Sequence, residues 1–296
     1  MNTSIVAGTQ KGIPISEFLK RYKEERDKID NNPVCHLVYT PFTGLGKPGY
    51  RGDEWFKRRI KIFKDNTVKS LQNQTNQFFV HWISFRPEEQ NNPLTKELFS
   101  YLCGIKYKTI FTFGGLCWWD DKFRFDELKK RLKNTLPQLK EIVGDARYVY
   151  ETVLASDDMY HKDVLESIDR QPFGYKRALV HWNGIIRDIN TGKMAEWCPP
   201  DGHLPPFYTI MYPADVFLDA KKHFDYVKGF KSHEDIERLF ECVRLPDNRY
   251  CVNTHGSNLS TLMEWDDEEK IHRKHPYVGK ELTEKEKKEV IKNFGL

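Results

Sequence analysis

Residues 68–85 read Val68-Lys69-Ser70-Leu71-Gln72-Asn73-Gln74-Thr75-Asn76-Gln77-Phe78-Phe79-Val80-His81-Trp82-Ile83-Ser84-Phe85. From residue 78 onward nearly every position is apolar, the pattern of a strand covered on both faces in a parallel sheet. The first part closes a helix. From Trp55 to Leu71 the apolar residues Phe56, Ile60, Phe63 and Leu71 recur at helical spacing, while Lys and Arg cover the other face. A helix that runs into a buried strand is half of a βαβ unit, so the neighbouring segments decide the architecture.

Working outward, residues 34–39 read as a short apolar strand. It breaks into Thr40-Pro41-Phe42-Thr43 and a Gly/Pro loop that reaches Gly49. On the other side the pattern predicts a helix over 94–102, a strand over 108–113, a helix over 126–143 and a strand over 147–154. Pro137 is expected to kink or split the long helix. Such alternation predicts an α/β fold with a mostly parallel sheet and flanking helices. Past residue 175 the character changes. Residues 177–187 and 194–197 flank Asp188-Ile189-Asn190-Thr191-Gly192-Lys193, a hairpin signal. A strand over 207–212, a helix over 232–240 and a strand over 250–254 complete a smaller hairpin and helix region. Residues 1–32 read as a polar extension with a helix from Glu17 to Ile29 behind Ser16. Residues 33–264 form the domain, and 265–296 a charged tail with a solvated helix over 283–292.

Lys and Arg total 47 against 43 Asp and Glu, a net charge of +4, and aromatic residues make up 14%. This near balance is no footprint of a nucleic-acid partner, which needs clustered surplus charge. The aromatic content argues against disorder. The basic face from Lys57 to Lys69 reads as solvated helix surface. No run reaches the length of a spanning helix and no signal segment opens the chain, so the expectation is a cytoplasmic protein, with peripheral membrane contact left open. The six scattered cysteines, with no CxxC pair, read as reduced thiols.

Three constellations are able to carry chemistry. Leu154-Ala155-Ser156-Asp157-Asp158 closes a predicted strand, and adjacent carboxylates there suit a hard divalent cation, Mn²⁺ or Mg²⁺. Equally, Asp158 or Ser156 caps a helix over 160–168. His255, directly after the strand over 250–254, would complete a mixed carboxylate and imidazole site, or it is an ordinary loop histidine. Ser232-His233-Glu234-Asp235 offers a carboxylate base, or a capping box. Trp118-Trp119-Asp120-Asp121 is a further aromatic patch. Walker A, HExxH and GxSxG patterns are missing from the sequence.

In order, these pieces resemble family-two-like glycosyltransferases of the GT-A fold. The segment Ser70-Leu71-Gln72-Asn73-Gln74-Thr75 before the buried strand carries the likeness. The preceding Trp55-Phe56-Lys57-Arg58-Arg59-Ile60-Lys61-Ile62-Phe63 is similar to the rhamnosyltransferase group. Asp157-Asp158 and His255-Gly256 stand where that group has its metal motif and a histidine-glycine element. The resemblance implies a GT-A-like, Rossmann-like sheet and a nucleotide-sugar donor held near Thr40, Pro41, Arg59 and Asp157. It implies a metal on Asp157, Asp158 and His255. A glycan acceptor would lie near Trp182, Trp197 and residues 232–235, with Asp235 or Glu234 as the base of an inverting displacement. The chain departs from the pattern at Ala155, where the family has another aspartate, and after Ser84-Phe85, where the family has two. Those departures motivate the alternative of a catalytically weak or inactive carbohydrate- or nucleotide-binding protein on the same fold.

Overall fold

The computed structural model describes residues 20, 24, 34–43, 52–113, 125–200, 203–230, 232–255, 258 and 277–296. Apart from Lys20 and Glu24, the expected helix over 17–29 falls outside them, as do the glycines of the loop from Gly44 to Gly49, the Trp118–Asp121 patch, Cys117 and Gly256.

Strand β1 (Val34–Pro41) is an inner strand of a seven-stranded sheet. It pairs in parallel with β2 (Val80–Ser84) on one side and with the central β4 (Tyr148–Val153) on the other. Strand β3 (Lys108–Thr112) extends the sheet beyond β2. Past β4 comes β9 (Tyr208–Pro213), which runs antiparallel, then β6 (Arg177–His181) and β10 (Glu241–Leu245). Every strand but β9 therefore points the same way, and the α/β, mostly parallel expectation is met.

Alternation along β1 sorts the core into two layers. Val34 and Val38 face Phe56, Ile60 and Phe63 of α1 (Asp53–Phe63). Cys35, Leu37 and Tyr39 belong to the other layer, with Leu132, Leu136 and Leu139. α1 passes through a π-helical turn (Lys64–Val68) into α2 (Lys69–Gln72), so the helical stripe is continuous but carries a local π-type widening. α3 (Pro93–Leu102) is capped by Asn92, whose side chain accepts from the Leu94 amide. α4 (Phe125–Val143) holds Pro137 inside a single helix, so the proline does not split it.

Several elements differ from expectation. The segment after Asp158 does not start a helix: Met159–Tyr160 forms strand β5, and the helix α5 begins only at Val164 and ends at Asp169. Residues 177–187 are two strands in two sheets, because the chain turns at Trp182-Asn183 between β6 and β7 (Gly184–Asp188). β7 and β8 (Met194–Trp197) do form the expected hairpin, inside a five-stranded sheet ordered β12-β8-β7-β11-β5. There β11 (Tyr250–Thr254) lies parallel to β7, and β12 (Val278–Glu281) lies antiparallel to β8.

Between β9 and β10 the chain makes α6 (Ala214–Phe217), α7 (Ala220–Tyr226), a 3₁₀ turn (His233–Asp235) and the single turn α8 (Ile236–Leu239). The terminal helix α9 (Glu284–Phe294) is not wholly solvated: Val290 and Phe294 pack with Met159, Ile185 and Cys251. Thus part of the charged tail belongs to the folded body. No helix among the described residues is long and apolar enough to cross a membrane. No disulfide joins any two of the five described cysteines.

Candidate functional site at the carboxyl end of β4

The loop Leu154–Asp158 leaves β4 at the carboxyl edge of the sheet, where ligands of such sheets sit. The Ser70–Thr75 segment clamps β5 and the start of α5, just beyond that loop. The Ser70 hydroxyl accepts from the Tyr160 amide, Gln74 donates to the His161 carbonyl and accepts from the Leu165 amide, and Thr75 bonds the Lys162 carbonyl and Glu166. Thr67, in the π turn, donates to the Asp158 carbonyl at 2.8 Å. This is the local reason for the segment's residue types: polar side chains tie it to β5 and the start of α5, which follow the acidic loop.

Asp157 is gripped from α1. Arg59 places one terminal nitrogen 2.7 Å from Oδ2 and the other 3.1 Å from Oδ1, while its Nε donates to Ser156 Oγ at 2.8 Å. His255 Nε2 stands 3.1 Å from the same Oδ2, and the Asn258 amide is 3.4 Å from it. Arg58 holds the His255 carbonyl at 2.7 Å, and Asn253 donates to the Asp157 carbonyl at 2.6 Å. Burial works against ionisation of Asp157, but the Arg59 charge and the His255 contact outweigh it, so its carboxyl is held below the usual range. Asp158 goes the other way. Burial and the adjacent Asp157 charge raise it well above that range, against the Asn253 amide that donates to its Oδ1 at 3.0 Å. One carboxylate is anionic and paired; its neighbour favours the protonated form.

The structure thus joins Arg59, Asp157 and His255, which sequence reading singles out separately. The helix-cap alternative for Ser156 and Asp158 does not hold, since both side chains serve this cluster. A resident divalent cation does not fit the arrangement, because the guanidinium already occupies both oxygens of Asp157. Among the described residues no group of three or more His, Cys, Asp or Glu is placed to hold a metal.

Other expected site residues lie elsewhere. Thr40 is wholly buried, its hydroxyl 2.9 Å from His81 Nε2, and Pro41 pairs with Ser84 at the strand end. Asp235 closes a capping box with the Ser232 amide and also binds Arg238 at 2.7 Å. Glu234 is exposed, 3.6 Å from His203. The helical turn after it packs Ile236 into the layer opposite α1. Trp182 and Trp197 are buried, and Trp182 donates to the Pro199 carbonyl.

Sequence reading misses Arg58, Asn253 and Asn258, whose roles depend on chain-distant contacts. It also misses a buried relay in which Asp169 binds His36 Nδ1 at 2.8 Å and His36 Nε2 binds Thr152 at 2.7 Å, with Thr209 beyond. The order imitates a hydrolase triad. However, His36 and Thr152 are inaccessible, so the relay joins β1, β4, β9 and α5 and meets no substrate.

No protein-family model and no curated protein matches the chain. Solved structures match at low identity. One is described as a candidate nucleotide-diphospho-sugar transferase from Desulfovibrio desulfuricans G20 (15% identity, 82% of this chain and 91% of that one, TM-score 0.35). Another is S. aureus TarS 1–349 in complex with UDP (12%, 76% and 61%, TM-score 0.38). A third is 4-diphosphocytidyl-2C-methyl-D-erythritol synthase from Anaerococcus prevotii DSM 20548 (12%, 84% and 97%, TM-score 0.36). Overlaps of this quality assign no activity and add nothing to the strand order given above.

Proposed function

We propose that the chain is a transferase that takes a sugar from a nucleotide-activated donor to an acceptor hydroxyl, by a single inverting displacement. The observation that supports this reading is the meeting of Arg59, Asp157 and His255 at the carboxyl edge of β4. These residues come from three of the four segments on which the family resemblance rests. In the proposed reaction the acceptor oxygen bonds to the anomeric carbon as the bond to the diphosphate breaks, and a carboxylate takes the hydroxyl proton. Glu234 is the proposed base, because Asp235 is consumed by its cap and by Arg238. Arg59 supplies a fixed positive charge near the departing diphosphate. A guanidinium has five N–H donors and is not used up by Ser156 and Asp157. A divalent cation as cofactor would have to take Arg59's place at Asp157, so no step is routed through one. Rhamnose or another deoxyhexose is the proposed sugar, and a glycan the proposed acceptor.

A panel of nucleotide sugars, rhamnosyl donors included, tests the reading with the full chain and acceptor glycans. Turnover of at least one donor that falls about 100-fold in Glu234→Gln is expected if that carboxylate is the general base. Binding without turnover for every donor would instead support the non-catalytic alternative that Ala155 motivates. Absence of any nucleotide-sugar binding would overturn both.

A further inference from the structure

A second concave feature lies on the outer side of the helix that carries Arg59. It is a cavity of about 530 Å³ between α1, the π turn and the β7–β8 hairpin. Four cationic side chains line it: Arg58, Lys61, Lys69 and Arg187. The one acidic side chain in the lining, Asp65, is already paired, 2.6 Å from Lys61 and 4.0 Å from Lys69. Four cations against one carboxylate leave the side chains of the lining net positive, with Leu296, the last residue of the sequence, also in the wall.

Arg187 gives the cavity direction. One terminal nitrogen donates to Asn66 Oδ1 at 3.0 Å, an oxygen turned toward it from the π turn. Its Nε is buried with no hydrogen-bond partner. That Nε has next to no accessible surface, so a ligand in the cavity would meet the terminal nitrogens of Arg187 and not the Nε. The nearby Asp188 carboxylate is directed at its own turn, where its oxygens accept from the Asn190 amide and the Thr191 hydroxyl. Arg forks match the oxygens of phosphate, and flanking lysines add point charge for a dianion. The volume falls in the range of small-molecule sites, and Ile189 gives the wall an apolar portion for an organic remainder.

The geometry points to an anion site for a phosphate-bearing small molecule in this cavity, with Arg187 and Arg58 as oriented donors and Lys61 and Lys69 as charge. It goes beyond the proposed transferase site and does not depend on it. Arg58 nonetheless links the two, since it also holds the His255 carbonyl. The phosphate belongs either to a nucleoside diphosphate or to a phosphorylated sugar.

Inorganic pyrophosphate, titrated into the full chain at low ionic strength, is the probe. Saturable binding is expected, weakened about tenfold in Arg187→Gln, the loss of one hydrogen bond to a charged group. Lysine labelling of the unmutated chain guards against a folding defect in that variant. Pyrophosphate is expected to slow acylation of Lys61 and Lys69 while leaving exposed Lys288 unchanged. Protection by a nucleoside diphosphate at lower concentration than by a sugar 1-phosphate assigns the first source, and the reverse order assigns the second. No pyrophosphate binding, or binding without protection of Lys61 and Lys69, overturns the inference. Failure of every nucleotide sugar to be used leaves it standing.

Discussion

Arg59 and Asp157 form a bidentate ion pair, at 2.7 and 3.1 Å, across 98 residues of chain, with side chains only 13% and 10% exposed. Removing one partner of so covered a pair strands the other charge, which costs about 3–5 kcal/mol. Arg59→Met is therefore expected to lower the urea-unfolding free energy by that order. The double variant Arg59→Met with Asp157→Asn should recover most of the loss, since no charge is then stranded. A single-variant cost below about 1 kcal/mol would show the pair behaving as an exposed one.

The same pair is expected to set the affinity for a metal ion. With the guanidinium in place, Mn²⁺ is expected to bind the unmutated chain only weakly. Arg59→Gln frees both Asp157 oxygens and leaves His255 Nε2 3.1 Å from one of them, a carboxylate and imidazole pair suited to that ion. Mn²⁺ bound to the variant should give a dissociation constant at least about tenfold lower, read by electron paramagnetic resonance. Tight binding to the unmutated chain that vanishes in Arg59→Gln would reverse the assignment and make Arg59 a support for the metal.

How much of this is legible in the sequence depends on the range of each interaction. The stripe Phe56, Ile60, Phe63 and the run through β2 are local patterns, and both elements form where the sequence predicts them. Tyr160 reads as the start of a helix, yet the extended state of Met159–Tyr160 is imposed by pairing with Tyr250 and Cys251, some ninety residues away. The break at Trp182-Asn183 does leave a mark, the turn dipeptide Asn183-Gly184, which the reading of 177–187 as one strand passes over because apolar residues continue on both sides. Arg59, Asp157 and His255 can each be singled out by type and order. That Arg59 closes on Asp157, where the resemblance implies a cation, cannot be, because no spacing rule reaches between a helix and a loop that the fold alone brings together.

Gly184 shows a packing constraint of the same long-range kind. It opens β7, and a Cβ added there would lie 2.4 Å from the Tyr250 ring. That ring has no room to yield, being stacked on Phe207 at 3.8 Å with its hydroxyl donating to the Trp182 carbonyl at 2.9 Å. Gly184→Ala is expected to cost about 1–3 kcal/mol through overpacking. Gly192→Ala, in the β7–β8 turn with open space around it but φ +77°, should cost about 1 kcal/mol for backbone strain alone. Thermal midpoints of the two variants check the order; equal loss would mean the Tyr250 ring moves freely.

Two buried groups pull the pH dependence of stability in opposite senses. His223 lies between the rings of Tyr212 and Phe217, at 4.9 and 5.2 Å, and burial pushes it down to about 4 although its Nδ1 meets the Phe217 carbonyl. The unfolded chain binds this proton near pH 6.5 and the folded chain does not. Stability from His223 is therefore present above about 6.5 and lost as pH falls toward about 4, by about 3 kcal/mol in all. Burial raises Glu151 to about 7, against the Tyr212 hydroxyl that donates to it at 3.1 Å. Here the folded chain keeps a proton the unfolded chain releases, so stability is present at low pH and lost as pH rises from about 4.5 to 7. Urea midpoints taken from about pH 7.5 down to about 4.5 separate the two. His223→Gln should make the acid decline shallower by one proton, whereas Glu151→Gln should make it steeper by one. Parallel curves for the unmutated chain and both variants would show that neither group is held out of its ordinary titration range.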